Sequence, residues 1–493
     1  RRCEDACTRG RVDAAVAIDE VKKFIAQRDL DAATRYVPPV VTPTRAGGFD
    51  QKIAIIGAGP AGLSCAFYLA EKGYKPVVFE KNERPGGMLT YGIPSFKLEK
   101  DVIEAEVEII RLMGAEFRYG VEVGRDVTLD ELRAQGFKAF YVAIGCQGGR
   151  LAGIPGEDAE DVTVAVDFLR EVNSGMIDAL PGRTIVVGGG NVAIDVARNA
   201  CRLGSEHVEM FCLESEAQMP ASEEERREAV EDGAHISCGW GPKEIHLDEA
   251  GRVCGITFKR CTRVFDDEGR FAPEYDENDL RRVDADRVVM SIGQSIVWGD
   301  LLAGSKVELG RGQGALADPQ TYQTAEPDIF VGGEVYTGPS FAIDAIAAGH
   351  EAAVSIHRFV QPGSTLTIGR NQRHYTALDR DDVVIESYDN ASREVAHVDR
   401  EREKAAPFSE YVETFTEEQV RAETARCLGC GASIVDPNKC IGCGLCTTKC
   451  AFDAIHLDRD RPECSTMVKY EQKLPSLGKY ALKRAIKIKF GRK

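Results

Sequence analysis

The 493-residue chain has no run approaching the ~20 consecutive apolar residues of a bilayer-spanning helix. No signal peptide opens it. It begins Arg1-Arg2-Cys3 without a methionine and is read as trimmed at its front. Positive charge is scarce: 62 Lys and Arg against 79 Asp and Glu leave a net charge of −17. A surface of that sign repels a phosphate backbone, so a nucleic-acid partner is disfavoured. Cysteine is absent between Cys261 and Cys427, yet seven of the 16 lie from Cys427 to Cys464. A secreted disulphide scaffold is short and cysteine-dense throughout, so that class is excluded. A local cluster in a long chain reads as metal binding in a reducing, cytoplasmic compartment.

What is present is glycine, 49 of 493 residues, gathered in short motifs. Val16, Val21, Phe24 and Ile25 predict a helix over 12–27, ended by Pro38, Pro39 and Pro43. From Lys52 the pattern alternates strand, glycine turn and helix, the signature of a doubly wound parallel sheet. The expected division is a helical piece and linker (1–50), a first dinucleotide domain (51–150), a second inserted in it (151–300), and the remainder of the first (301–361). A polar connector (362–420), a ferredoxin-like iron–sulfur domain (421–465) and a basic tail (466–493) follow. The fold class expected is therefore α/β, with two Rossmann-like domains and a small α+β iron–sulfur module.

Strand Lys52–Ile56 runs into Gly57-Ala58-Gly59-Pro60-Ala61-Gly62, a helix, then strand Pro76–Phe79 closed by Glu80 and Lys81. Gly57 permits the tight turn, Gly59 lets the backbone approach a pyrophosphate, and Gly62 lets helix and strand pack closely. The helix N-terminus offers N–H groups to phosphate. Glu80, 23 residues after Gly57, stands where a carboxylate accepts from ribose hydroxyls.

A second unit follows: strand Thr184–Val187, Gly188-Gly189-Gly190-Asn191-Val192-Ala193, a helix to Leu203, and strand His207–Leu213 closed by Glu214. An acid at Glu214 accepts from a free 2′-hydroxyl and repels a 2′-phosphate, which favours NADH over NADPH. Two nucleotide folds in one chain imply two cofactors. The economical pairing is bound FAD at the first and a diffusing nicotinamide at the second, with hydride passing from nicotinamide to flavin.

The cysteine block reads Cys427-x2-Cys430, nine residues, then Cys440-x2-Cys443-x2-Cys446-x3-Cys450. The second run has the spacing of bacterial ferredoxins, whose fourth cysteine usually serves another cluster, which would pair Cys450 with Cys427 and Cys430. Ala451 replaces the usual proline, and seven cysteines cannot fill two all-cysteine 4Fe–4S clusters. One cluster is therefore expected, a second needs a different or borrowed ligand, and zinc is the competing reading. Cys464 reads as a thiol outside the cluster. Cys3 and Cys7 read either as two ligands of a further cluster or as plain thiols. No dithiol pair adjoins either glycine loop in sequence. Cys65, Cys146, Cys201, Cys212, Cys238, Cys254 and Cys261 stand alone, which disfavours a disulphide reductase and marks them as small core residues.

Residues 1–360 resemble the glutamate synthase small-subunit family. That family also takes in the N-terminal half of dihydropyrimidine dehydrogenase and the large subunit of NADH-dependent ferredoxin:NADP oxidoreductase. The resemblance lies in Pro85-Gly86-Gly87-Met88-Leu89-Thr90-Tyr91-Gly92-Ile93-Pro94-Ser95-Phe96-Lys97-Leu98, in Ala143-Ile144-Gly145, in Gly189 to Arg198, in Gly332-Gly333-Glu334 and in Cys3 to Arg9. It implies that Gly87, Met88, Leu89, Ile93 and Gly145 lie along FAD, and that Glu334, one methylene longer than the family's usual Asp, holds the ribityl chain. NADPH-using members carry Tyr-Arg-Arg after the second nucleotide strand, where this chain reads Phe211-Cys212-Leu213-Glu214, before a shared Met219-Pro220-Ala221. The implied function is an NADH-dependent flavoprotein passing electrons through iron–sulfur clusters to redox subunits or a ferredoxin. A flavin-based bifurcating subunit and a non-catalytic relay are the alternatives. The tail from Thr466 carries nine Lys and Arg against one acid and suits an acidic partner or an anionic membrane surface, or is simply solvated.

Overall fold

The computed structural model describes residues 2–41, 48–368, 370, 388–430, 440–449, 455–457 and 469–490. They fall into two compact units, divided at Leu428 and Gly429.

The elements of the first unit that position the site follow in chain order. They are α1 (Ile18–Leu30), β1 (Lys52–Ile56), α2 (Pro60–Glu71), β2 (Val77–Glu80), α3 (Met88–Tyr91), α4 (Lys100–Leu112), β3 (Glu116–Tyr119) and β4 (Phe137–Val142). Next come β5 (Val162–Val164), α5 (Ala165–Asn173), β6 (Arg183–Val187), α6 (Asn191–Arg202), β7 (His207–Cys212), α7 (Glu223–Glu231) and β8 (His235–Cys238). The unit continues with β9 (Trp240–Leu247), β10 (Val253–Phe265), β11 (Phe271–Val283), β12 (Arg287–Met290), β13 (Ile329–Val331), α8 (Glu334–Thr337), α9 (Ala342–Val360) and α10 (Glu417–Ala425).

One parallel sheet has the order β13-β4-β1-β2-β3 and a second the order β5-β12-β6-β7-β8. All strands of the second lie between β4 and β13 of the first, so one domain is inserted in the other, as expected. Side chains alternate across a strand, and both faces of β1 are covered: Ile53 and Ile55 enter one core, Ala54 and Ile56 the other. In β6, Val186 faces α5 and α6, while Ile185 and Val187 face the opposite side. That opposite side is covered by an antiparallel meander, β9-β10-β11, with Phe258 stacked 3.9 Å from Phe211.

Two sequence expectations are corrected. The helix expected over 12–27 runs from Ile18 to Leu30. Residues 14–17 are held by distant partners instead: Arg426 takes the Ala14 carbonyl, Arg393 the Ala15 carbonyl, and Glu423 the Ala17 N–H. Carbonyls and amides spent on those partners are lost to a helical ladder. The supposed connector is, from 388 onward, part of the first unit, with Tyr411 and Phe415 buried. The meander occupies residues for which the sequence offered no separate layer. In the second unit the described helices are α11 (Leu445–Lys449) and the basic α12 (Tyr470–Phe490).

Candidate functional site: two glycine loops on one cavity

A cavity of about 680 Å³ opens at the C-terminal ends of β1 and β4, where the strand order switches sides. Gly57 has φ +103°, and a Cβ there would stand 2.5 Å from the Ala143 carbonyl oxygen. Gly62 is tighter still, with a Cβ only 1.9 Å from the Gly57 oxygen. The Gly57 N–H donates to the Phe79 carbonyl at 2.8 Å, fixing the loop to β2. Pro60 at the first turn of α2 needs no hydrogen-bond acceptor, so the helix starts cleanly toward the cavity. Helix α9 lies close over α2 because Gly349 has no side chain: a Cβ would meet the Ala61 oxygen at 2.2 Å.

Of the residues the sequence nominated, Gly57, Gly59, Pro60, Ala61, Glu80, Lys81, Gly87, Met88, Leu89, Ile93, Gly145, Gly333 and Glu334 line this cavity, and so do Gly190, Asn191 and Val192. Gly62, Gly188, Ala193 and Glu214 do not. Gly62, Gly188 and Ala193 shape their loops from behind, and Glu214 follows the strand His207–Cys212. The Gly188 N–H donates to Phe211 at 2.8 Å, as Gly57 does to Phe79. A Cβ on Gly190 would meet nothing within 4 Å, so that backbone faces open space. A Cβ on Gly189 would lie 3.0 Å from the Glu214 carboxylate, which brings acid and loop together. Such cradles fit the phosphates and riboses of two dinucleotides.

Glu80 differs from expectation. Its side chain is buried and its oxygens accept from the Ala58 N–H at 2.8 Å and from the Asn82 backbone and side chain at 2.9 and 2.7 Å. The carboxylate ties the glycine loop to β2, and only its remaining lone pairs face the cavity. Glu334 accepts the Cys146 N–H at 3.0 Å. Burial raises its carboxyl above the usual range, against the Cys146 and Ser340 hydrogen bonds.

Sequence reading missed a half-buried ion cluster at the cavity's edge. Asp195, one turn along α6 from Asn191, lines the cavity, and Lys97 reaches it at 2.6 Å while also contacting Glu225 on α7. Burial pushes the Asp195 carboxyl up to about 6, opposed by the Lys97 charge. Lys97 lies within the quoted flavin-side stretch and Asp195 within the nicotinamide one, but nothing in the sequence pairs them. Lys100 donates to the Leu89 and Ile93 carbonyls at 3.0 and 2.5 Å, bracing the backbone that lines the cavity, and burial lowers its ammonium to about 8. Pro220 also lines the cavity, its loop held by the Ala221 N–H on the Gly189 carbonyl at 3.0 Å and the Ser222 N–H on Asn191 at 3.1 Å.

The cysteines are described in part. In the second unit Cys430, Cys440, Cys443 and Cys446 are exposed, and Cys450 and Cys464 lie outside the described residues. In the first unit Cys3 and Cys427 are exposed and Cys7 half-buried. Arg9, two residues after Cys7, donates to the carbonyl of Arg426, immediately before Cys427, at 3.0 Å. Among the described residues no three His, Cys, Asp or Glu side chains are gathered for a metal. The chemistry of the donors nonetheless suits iron: thiolates in the C-x2-C-x2-C spacing favour a cluster over oxygen-loving cations.

The family model described as pyridine nucleotide-disulphide oxidoreductase matches residues 51–349, and that of the 4Fe-4S binding domain residues 433–456. The chain belongs to the pyridine nucleotide-disulphide oxidoreductase family, within the group that holds the glutamate synthase small chains. It is 34% identical over 380 residues to the small chain of glutamate synthase [NADPH] from Escherichia coli, covering 73% of this chain and 78% of that one. It is 34% identical over 463 residues to the NADP(+)-dependent formate dehydrogenase subunit beta of Moorella thermoacetica, covering 87% of this chain and 63% of the relative. The chain thus spans less than two thirds of that longer protein. Among solved structures, Mycobacterium tuberculosis FprA in complex with NADPH has a TM-score of 0.54 at 19% identity, over 63% of this chain and 85% of that one, a likeness of fold. The chain therefore carries a flavin- and NAD(P)-binding oxidoreductase domain and a 4Fe–4S binding domain. No described helix is long and apolar enough to cross a membrane.

Proposed function

We propose that this chain is the NADH-oxidising electron-input subunit of a larger redox complex. The observation that carries the reading is that Gly59, Pro60 and Ala61 of one glycine loop and Gly190, Asn191 and Val192 of the other line the same cavity. A bound flavin accepts electrons in pairs from a nicotinamide and releases them singly, the form that iron–sulfur clusters carry. The chain's own work is then positioning. Gly57, Gly59 and the N-terminus of α2 hold the flavin's pyrophosphate. The braced stretch from Gly87 to Ile93, with Gly145, Gly333 and Glu334, holds the rest of that cofactor. Gly190 and the N-terminus of α6 receive the nicotinamide's pyrophosphate, and Glu214 receives the adenosine ribose. No side-chain acid or base is needed, because hydride transfer to flavin requires none. Cys440, Cys443 and Cys446 are the ligands assigned to the outgoing cluster. A relative named as a formate dehydrogenase subunit supports membership in a redox enzyme of several subunits.

Glu214 is the discriminating residue. Its carboxylate stands beside Gly189 where NADPH would bring a 2′-phosphate, and it repels that group. In Glu214→Arg the NADH/NADPH ratio of kcat/KM for flavin reduction should fall by roughly ten- to a hundredfold, the worth of one charge-assisted hydrogen bond. An unchanged ratio would overturn the assignment.

A further inference from the structure

Two of the cysteines that stand alone in sequence are neighbours in space. Cys212 ends β7 and Cys238 ends β8, and the parallel register sets them opposite each other. Their sulfurs are 3.7 Å apart. Paired strands run about 4.8 Å apart, within the Cα separation that a disulphide spans, so a bond of about 2 Å needs sulfur movement rather than strand rearrangement.

The pair sits under the second glycine loop. A Cβ on Gly189 would touch the Cys212 Cβ at 2.8 Å, and the Cys212 sulfur lies 3.7 Å from the Glu214 carbonyl oxygen. That oxygen also accepts the Gly239 N–H, next to Cys238, at 2.9 Å. Any contraction between the sulfurs is therefore felt at Gly189 and Glu214. Cys212 is buried and Cys238 half-buried, so a reagent reaches Cys238 first.

We propose that Cys212 and Cys238 form a reversible dithiol–disulphide pair whose oxidation by a low-molecular-weight disulphide weakens nicotinamide dinucleotide binding. The Cys238 thiolate attacks one sulfur of the reagent, breaking its S–S bond and releasing one thiolate. The Cys212 sulfur then displaces the second thiolate from the mixed disulphide. Two electrons pass from the protein to the reagent, and the two protons of the dithiol leave on its two thiols. Burial, with Cys238 beside it, pushes the Cys212 thiol up, which keeps the second step slow. Because coupling is reciprocal, bound NADH favours the dithiol by the same factor by which the disulphide disfavours NADH. The inference rests on the reading of the Gly188–Ala193 loop as the nicotinamide site.

The test uses the holoprotein under anaerobic conditions with oxidised glutathione. Non-reducing peptide mapping and the KM for NADH in flavin reduction are measured before treatment, after it, and after dithiothreitol. The expected result is a Cys212–Cys238 cross-linked peptide and a KM raised about fivefold or more, both reversed by dithiothreitol and both absent in Cys238→Ser. Absence of the cross-link, linkage of either cysteine to another partner, a cross-link with unchanged KM, or a KM rise that persists in Cys238→Ser would each overturn it. Peptide mapping does not depend on NADH. If untreated protein fails to reduce its flavin with NADH, the functional reading fails, and the mapping still reports on the dithiol.

Discussion

Asp195 departs from its isolated chemistry in a way that pH can test. Burial holds its proton to about pH 6, with Lys97 opposing, whereas an unfolded aspartate releases it near 3.9. Between those values the folded state binds more protons than the unfolded one, so this group's contribution to stability falls as pH rises from about 4 to about 6 and is level above that. Asp195→Asn removes the slope. The Tm of the wild type minus that of the variant should decline across the window, and a difference independent of pH would contradict the assignment. Neither the value nor the ion cluster was legible in the sequence, because Lys97, Asp195 and Glu225 come from three separated segments. Glu80 and Glu214 were legible as acids closing a second strand. Their different employment was not: Glu80 is consumed by Ala58 and Asn82, while Glu214 stands beside Gly189.

Among the elements, the two strand–glycine–helix units were read from sequence almost as they stand, since each local requirement is strict. Gly62 shows how strict: a Cβ 1.9 Å from the Gly57 oxygen and 3.2 Å from Ile55 must push α2 away from β1. Gly62→Ala should destabilise the fold by about 1–3 kcal/mol and lower the flavin retained through purification, read from the flavin-to-protein absorbance ratio. A variant that keeps full flavin and Tm would show that the packing is looser than described.

The N-terminal segment is the opposite case. Residues 14–17 lose helix to partners some 400 positions away, which no local pattern reveals. Arg426 and Glu423 pair at 2.6 Å in full burial, and Glu423 also accepts the Ala17 and Glu394 N–H groups at 2.8 and 2.7 Å. Arg426→Met would leave a buried carboxylate without its ion partner, at a cost of about 3–5 kcal/mol. Thermal unfolding should register that loss, with faster proteolysis near residues 13–17 and 389–427. A change under 1 kcal/mol would mean the network is not the clamp described.

At the scale of the whole molecule, the insertion of one dinucleotide domain in another was readable from the order of the glycine motifs. The cavity that both loops share was not, for it depends on how the two sheets face. The part of the connector from 388 onward that proved to be packed was missed because its apolar residues, Tyr411 and Phe415 among them, are few and far apart. In the proposed function the glycine loops serve paired electrons and the cysteines single ones. The most direct measurement is an anaerobic titration of the purified protein with NADH, following flavin absorbance and low-temperature EPR together. The account predicts that the flavin bleaches and a cluster signal appears, and that in Cys443→Ser the bleaching remains while a cluster signal is lost. A flavin that NADH leaves oxidised, or an EPR spectrum identical in the variant, would contradict it.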